Sequence, residues 1–208
     1  MHLYAAPMAC SLAAHIAILE AGLPVTVHYI DNQAKRTDDG RDYWTISPNG
    51  YVPALALPGG AVLNEGPSVL QFLADQKPEA GLDPAWGTLA RYQLIDTLNY
   101  LSTEVHKRVF SVLLTAKSPP EAKERARTLL EPTLEAITRR LGGRQFLVGD
   151  RFTVADAYLV VLLNWFRHVG TDLRRSPDLA AYHKRQLERP AVAQAVAEEW
   201  AEFQRRAA

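Results

Sequence analysis

MHLYAAPMACSLAAHIAILEAGLPVTVHYI, residues 1–30, changes its hydrophobic period twice. His2–Ala5 reads as a short apolar strand that runs into a Pro7-containing loop. From Ser11 onward Leu12, Ile16, Leu19 and Leu23 recur at helical spacing, and Gly22 suits the position just past a helix C-terminus. Val25–Ile30 then alternates as a half-buried strand. A strand, a crossover helix and a second strand make a parallel unit.

Working outward, residues 31–50 are polar and turn-rich, with one helical turn predicted near Asp42–Ile46. Ala54–Leu57 and Ala61–Leu63 read as two short strands joined by Pro58-Gly59-Gly60, a hairpin signal. Gly66-Pro67 opens a helix with proline in its first turn, followed by the apolar Val69, Leu70, Phe72 and Leu73. The order β-α-β, loop, β-β-α predicts a four-stranded mixed sheet with helices on its faces, a thioredoxin-like domain over residues 1–77. Residues 78–87 form a Pro/Gly-containing linker. After it strand signals vanish, and helices are predicted over Thr88–Thr115, Glu121–Leu141, Thr153–Val169, Asp178–Arg189 and Ala191–Phe203. Short connections between long helices predict an all-α bundle over residues 88–208. The expected fold class is therefore α/β plus all-α.

Composition narrows the function classes. The 208 residues carry 23 basic and 23 acidic side chains, so the chain lacks the basic field that duplex nucleic acid or a membrane surface requires. One cysteine cannot form an internal disulfide, no apolar run approaches a membrane span, and the N-terminus lacks a basic n-region before an uninterrupted apolar core. These features predict a soluble cytoplasmic protein. The six histidines show no metal-ligand spacing, and neither a P-loop nor a dinucleotide fingerprint is present.

Cys10-Ser11 falls between the first strand and the first helix. A thiolate there faces backbone N–H groups and the positive end of the helix dipole, both of which lower a thiol pKa; without that setting a lone cysteine is equally a small buried hydrophobe. No second cysteine stands nearby, so a dithiol oxidoreductase is excluded. At Val52-Pro53 proline enters a strand, and a cis bond there would leave the Val52 backbone groups available to a peptide-like ligand. Glu65-Gly66-Pro67 stands at a helix N-terminus, where N–H groups suit a carboxylate and Glu65 suits an ammonium. Asn99, Thr103, Glu104, His106 and Lys107 cluster on the long helix after the linker, and His106 taken alone is as well explained as a structural histidine. Thr153 and Asp156 form a capping-box variant with a folding role.

Together these motifs form one pattern. Tyr4…Pro7-x-Ala9-Cys10-Ser11-Leu12, Ser47-Pro48-x-Gly50-x-Val52-Pro53-Ala54-Leu55, Leu63-Asn64-Glu65-Gly66 and Phe152-Thr153-Val154-Ala155-Asp156-Ala157-Tyr158 occur in the order found in bacterial, cysteine-containing beta-class glutathione S-transferases, which the chain resembles nearly end to end. The resemblance implies a thioredoxin-like domain, a helical domain contributing the acceptor-substrate pocket, a homodimer, and glutathione as co-substrate with no metal. It implies that Cys10 lies beside the glutathione sulfur and that Val52, before a cis-Pro53, holds the cysteinyl backbone. Glu65 and Gly66 would bind the γ-glutamyl end, and Lys35 and His106 would reach the ligand. Asn99, Thr103, Glu104, Val105 and His106 would be the helical domain's contacts, with Cys10 and His106 as catalytic residues. Met8, Tyr51 and Arg108 depart from the family's usual residues. The activity implied is conjugation of the glutathione thiol to small hydrophobic electrophiles, a detoxification reaction. A glutathione-dependent disulfide reductase or peroxidase using Cys10, and a non-catalytic binding or regulatory protein of the same fold, are the alternatives.

Overall fold

The structure, a computed structural model, describes residues 1–207. It divides into two compact units, Met1–Asp83 with the chain from Arg189 onward, and Pro84–Glu188.

In the first unit, β1 (His2–Ala5), α1 (Leu12–Ala21) and β2 (Thr26–Asp31) form the parallel unit predicted, with Leu3 opposite Val27. β4 (Ala54–Ala56) runs antiparallel to β1, placing Leu55 opposite Leu3, and β5 (Val62–Leu63) completes a hairpin with β4. Leu3 and Leu55 are wholly buried, as the centre of a covered sheet requires. The sheet has five strands, in the order β3-β2-β1-β4-β5, and not the four predicted. The extra edge strand, β3 (Arg36–Thr37), forms because Asp31 Oδ1 accepts the Gln33 and Ala34 N–H groups, both at 2.8 Å, and turns the chain back on β2. Two polar residues carry no alternation that could have announced it. α2 (Gly66–Asp75) has proline in its first turn, as predicted.

The last helix, α9 (Pro190–Ala207), groups with this unit, whereas the sequence assigned it to the helical domain. Its reason lies in α1, which is buried on nearly every side (Leu12, Ala13, Ala14, His15, Ile16, Ala17, Ile18, Ala21) and is covered by both α2 and α9. The Arg189 guanidinium clamps Glu20 of α1 through Nε at 2.7 Å and Nη2 at 2.9 Å, fixing the start of α9.

In the second unit the predicted long helix runs unbroken as α3 (Leu89–Tyr100), a π-helical run over Leu101–Phe110, and α4 (Ser111–Leu114). The predicted helix Glu121–Leu141 is two helices, α5 (Pro120–Thr128) and α6 (Leu130–Leu141). Pro132 explains the break: it has no N–H for the Thr128 carbonyl and is tolerated only in a first helical turn, where α6 places it. α7 (Val154–Asn164) is buried from Val154 to Leu163 and is the unit's central helix; α8 (Pro177–Leu187) packs on it. Among the described residues no helix is long and apolar enough to cross a membrane.

Candidate active site

Cys10 lies on the turn between β1 and α1, partly exposed and in no disulfide. Ser11 closes the base of that turn, its hydroxyl accepting the Ala6 N–H at 3.1 Å and donating to the Ala6 carbonyl at 3.2 Å. The Cys10 thiol donates to the Val52 carbonyl oxygen at 3.1 Å. The N–H groups of the first helical turn are less available than the sequence suggested. Those of Leu12 and Ala13 already donate to the Ala9 and Cys10 carbonyls, at 3.1 and 3.2 Å, so the site offers the thiol a carbonyl partner instead.

The Val52-Pro53 peptide is cis. The Val52 carbonyl accepts the Cys10 thiol and keeps a second lone pair, and among the described residues the Val52 N–H has no hydrogen-bond partner. The approach to Val52 is pinned residue by residue. Tyr51 O accepts from the Tyr43 hydroxyl at 2.7 Å and the Ser47 hydroxyl at 3.1 Å, and Gly50 O accepts from Lys35 Nζ at 2.7 Å. Burial pushes the Tyr43 hydroxyl pKa up to about 12, keeping it a donor, and burial lowers that of Lys35. Gly50 has φ +63°, and a Cβ there would come within 2.6 Å of the Trp44 ring, so the glycine of the Ser47-Pro48-x-Gly50 motif is a steric requirement.

Glu65 precedes α2 in extended conformation, exposed, with no side-chain cap bond, so its carboxylate is available to a cation. A Cβ on Gly66 would meet nothing within 4 Å, so the space over the helix start is open. Asn64, which the sequence marked as part of a motif but not as a site residue, adds an acceptor beside Glu65: its Oδ1 is buried without a hydrogen-bond partner among the described residues. No periodicity or spacing in the sequence marks such an atom.

Asn99, Thr103, Glu104, Val105 and His106 share the helix that passes from α3 into the π-helical run. Thr103 Oγ1 donates to the Asn99 carbonyl at 3.0 Å, and Glu104 pairs with Arg108 at 2.6 Å. The Val105 side chain is wholly buried, part of that unit's core. His106 is 8% exposed, with Nδ1 2.7 Å from the Tyr158 hydroxyl and its ring edge-on to Trp165 at 5.0 Å. Burial, with Lys107 adding to it, lowers its pKa to about 4, so near neutrality it is an uncharged imidazole and not a cation for an anionic ligand.

Asp156 holds the folding role read from the sequence. Its Oδ2 accepts the Thr153 N–H and hydroxyl, both at 2.9 Å, while Oδ1 accepts the Leu147 N–H at 2.8 Å and the Tyr182 hydroxyl at 2.7 Å. Among the described residues no cluster of three or more His, Cys, Asp or Glu side chains could hold a metal ion.

A five-stranded thioredoxin-like unit with a cysteine at its first strand-to-helix turn, followed by a helical unit, defines a class of two-domain thiol transferases. Residues 7–76 match the glutathione S-transferase N-terminal domain and residues 120–185 the glutathione S-transferase C-terminal domain. The chain belongs to the glutathione S-transferase family. Within it the likeness is bacterial: the chain is 39% identical to glutathione S-transferase GstA of Escherichia coli, over 96% of this chain and 98% of that one. Among solved structures it superposes on a sphingomonad glutathione S-transferase complexed with glutathione with a TM-score of 0.91 and 41% identity, covering 96% of this chain and 98% of that one. A bacterial beta-class glutathione S-transferase from Sphingomonas chungbukensis gives a TM-score of 0.91 and 43% identity over the same shares. Full-length relatives named as transferases set aside the non-catalytic alternative.

Proposed function

We propose that this chain joins the thiol of glutathione to small hydrophobic electrophiles, with Cys10 marking where that thiol sits. The observation that carries the proposal is the pairing of the Cys10 thiol with the Val52 carbonyl beside a cis-Pro53, which brings the only cysteine to a backbone segment whose N–H could pair with a peptide ligand. The Val52 N–H would receive the cysteinyl carbonyl of glutathione, and Glu65, Asn64 and Gly66 would take its γ-glutamyl ammonium and carboxylate. Lys35 would be the cation for the glycyl end. For Asn99, Thr103, Glu104, Val105 and His106 the roles proposed are those the resemblance implies. In the reaction the glutathione thiolate forms a bond to an electrophilic carbon, a leaving group departs with the electron pair, and the thiol proton passes to solvent.

Retention on immobilised glutathione, together with conjugation of a chloronitroaromatic, tests the proposal; a folded chain that does neither refutes it. Cys10→Ala separates conjugation from the disulfide-exchange alternative, because a mixed disulfide with glutathione needs the Cys10 sulfur and conjugation does not. The proposal extends to a cytoplasmic homodimer. Leu89 and Tyr92, 74% and 59% exposed on the first turn of α3, offer apolar surface for a second copy, and sedimentation velocity reads the assembly directly.

A further inference from the structure

Glu199 has no part in the chemistry above, yet its carboxylate is wholly buried, which is costly unless both oxygens are satisfied. They are: Oε2 accepts the Met8 N–H at 2.7 Å, and Oε1 lies 3.3 Å from Nδ1 of the buried His15, whose Nε2 reaches Glu198 at 3.2 Å. Met8 is itself unusual. Ala6-Pro7-Met8-Ala9 is a turn closed by the Ala9 N–H on the Ala6 carbonyl at 3.1 Å, and Met8 has φ +60°. Proline in the second place and positive φ in the third are the type II pattern, and the third place normally belongs to glycine. The turn's own hydrogen bond uses the Ala9 N–H, so the half-buried Met8 donor is satisfied from outside the turn, by Glu199. Two residues later the chain delivers Cys10.

We propose that Glu199 is a positioning residue for the sulfur site: by accepting the Met8 N–H it holds a non-glycine residue in the left-handed conformation that aims Cys10 at Val52. The carboxylate comes from α9, 191 residues further along, and α9 is fixed on α1 by the Glu20–Arg189 fork. The Cys10 turn is therefore shaped by the end of the chain. This rests on the proposed function only in treating Cys10 as the mark of the sulfur site.

Four proteins test it: wild type, Glu199→Leu, Met8→Gly and the double variant, each verified as folded by thermal unfolding. The readouts are the alkylation rate of Cys10 by iodoacetamide and the affinity for glutathione. Glu199→Leu, which has no oxygen to accept the Met8 N–H, is expected to speed alkylation about tenfold, as a sulfur no longer held at Val52 becomes accessible, and to weaken glutathione binding to a similar degree. In the Met8→Gly background the same substitution should change the rate by less than about twofold, because glycine adopts positive φ without steric cost. Equal effects in the two backgrounds overturn the proposal, since a merely structural carboxylate would not be relieved by glycine at position 8. Should the leucine variants fail to fold, Glu199→Asp carries the same comparison with the charge kept and its reach one methylene shorter. A wild type that ignores glutathione, but whose alkylation keeps this dependence on background, would refute the proposed function and leave the role of Glu199 standing.

Discussion

The Cys10 thiol donates to the Val52 carbonyl oxygen at 3.1 Å. A donor is a protonated thiol, and ionising this sulfur would set a negative charge against the negative end of a carbonyl dipole. In this arrangement the protonated Cys10 thiol is tied to the segment before cis-Pro53. Cys10→Ala is therefore expected to bind glutathione within about fivefold of wild type, the loss set by one hydrogen bond worth roughly 1 kcal/mol. Conjugation should persist in that variant and disulfide exchange should disappear; calorimetry and paired activity assays check both. Loss of conjugation with glutathione binding intact would make Cys10 a participant in the chemistry.

Gly50→Ala should disturb the same segment by a different route. The added Cβ would sit 2.6 Å from the Trp44 ring, and φ +63° is strained for alanine whatever space is made. A destabilisation of about 1–3 kcal/mol is expected from the backbone alone. Trp44→Ala in the same chain would remove the clash and leave the strain, so the double variant should recover only part of the lost urea midpoint. Because Lys35 holds the Gly50 carbonyl at 2.7 Å, glutathione affinity should fall along with stability.

Much of this was legible in the sequence. The change of period over residues 1–30 gave the parallel unit, and helix-opening prolines and glycines fixed α2. The illegible parts share a physical cause, which is that they depend on contacts distant in sequence. The two residues of β3 pair only because Asp31 turns the chain. The partner of α9 is decided by an α1 that is buried on nearly every side, and nothing in α9 itself announces it. His106 could be read from the sequence as a structural histidine, but the neighbours that enclose it, Tyr158 and Trp165, could not. Glu199 was invisible for the same reason: an acidic residue in an amphipathic helix reads as solvated until another segment covers it.

Acid should destabilise the fold before any carboxylate titrates in the usual range. Burial holds His106 at about 4, and burial with a contribution from Arg167 holds His183 at about 4, both below the ordinary 6.5. For each, the unfolded chain binds a proton that the native chain refuses between pH 6.5 and 4. Stability is thus complete above pH 6.5 and declines as pH falls through that window, by up to about 1.4 kcal/mol per pH unit for each group. Asp156 and Glu199, whose carboxyls burial pushes up, act in the opposite direction at the lower end. Urea midpoints at pH 7.5, 6 and 5 should fall in order. His183→Gln should flatten the slope, and an unchanged slope would show that His183 takes up its proton at the same pH in the folded and the unfolded chain.

Asp156→Ala should be the most damaging single change in the second unit. The carboxylate is wholly buried and accepts four hydrogen bonds, from the Thr153 N–H and hydroxyl, the Leu147 N–H and the Tyr182 hydroxyl. It therefore joins the start of α7, the loop before it and α8 at one point. Truncation leaves the Leu147 and Thr153 donors and the Tyr182 hydroxyl buried without acceptors, for an expected loss of about 3 kcal/mol or more. In a chain of this size that corresponds to a fall in Tm of roughly 6–12 °C. Asp156→Asn separates charge from shape. Its oxygen can still serve Leu147 and Tyr182, but its amide then faces the Thr153 N–H, donor against donor, so about 2 kcal/mol should still be lost. Tyr182→Phe removes one bond and should cost about 1 kcal/mol. Equal Tm values for Asp156→Asn and wild type would mean that the capping contact to Thr153 contributes nothing to the fold.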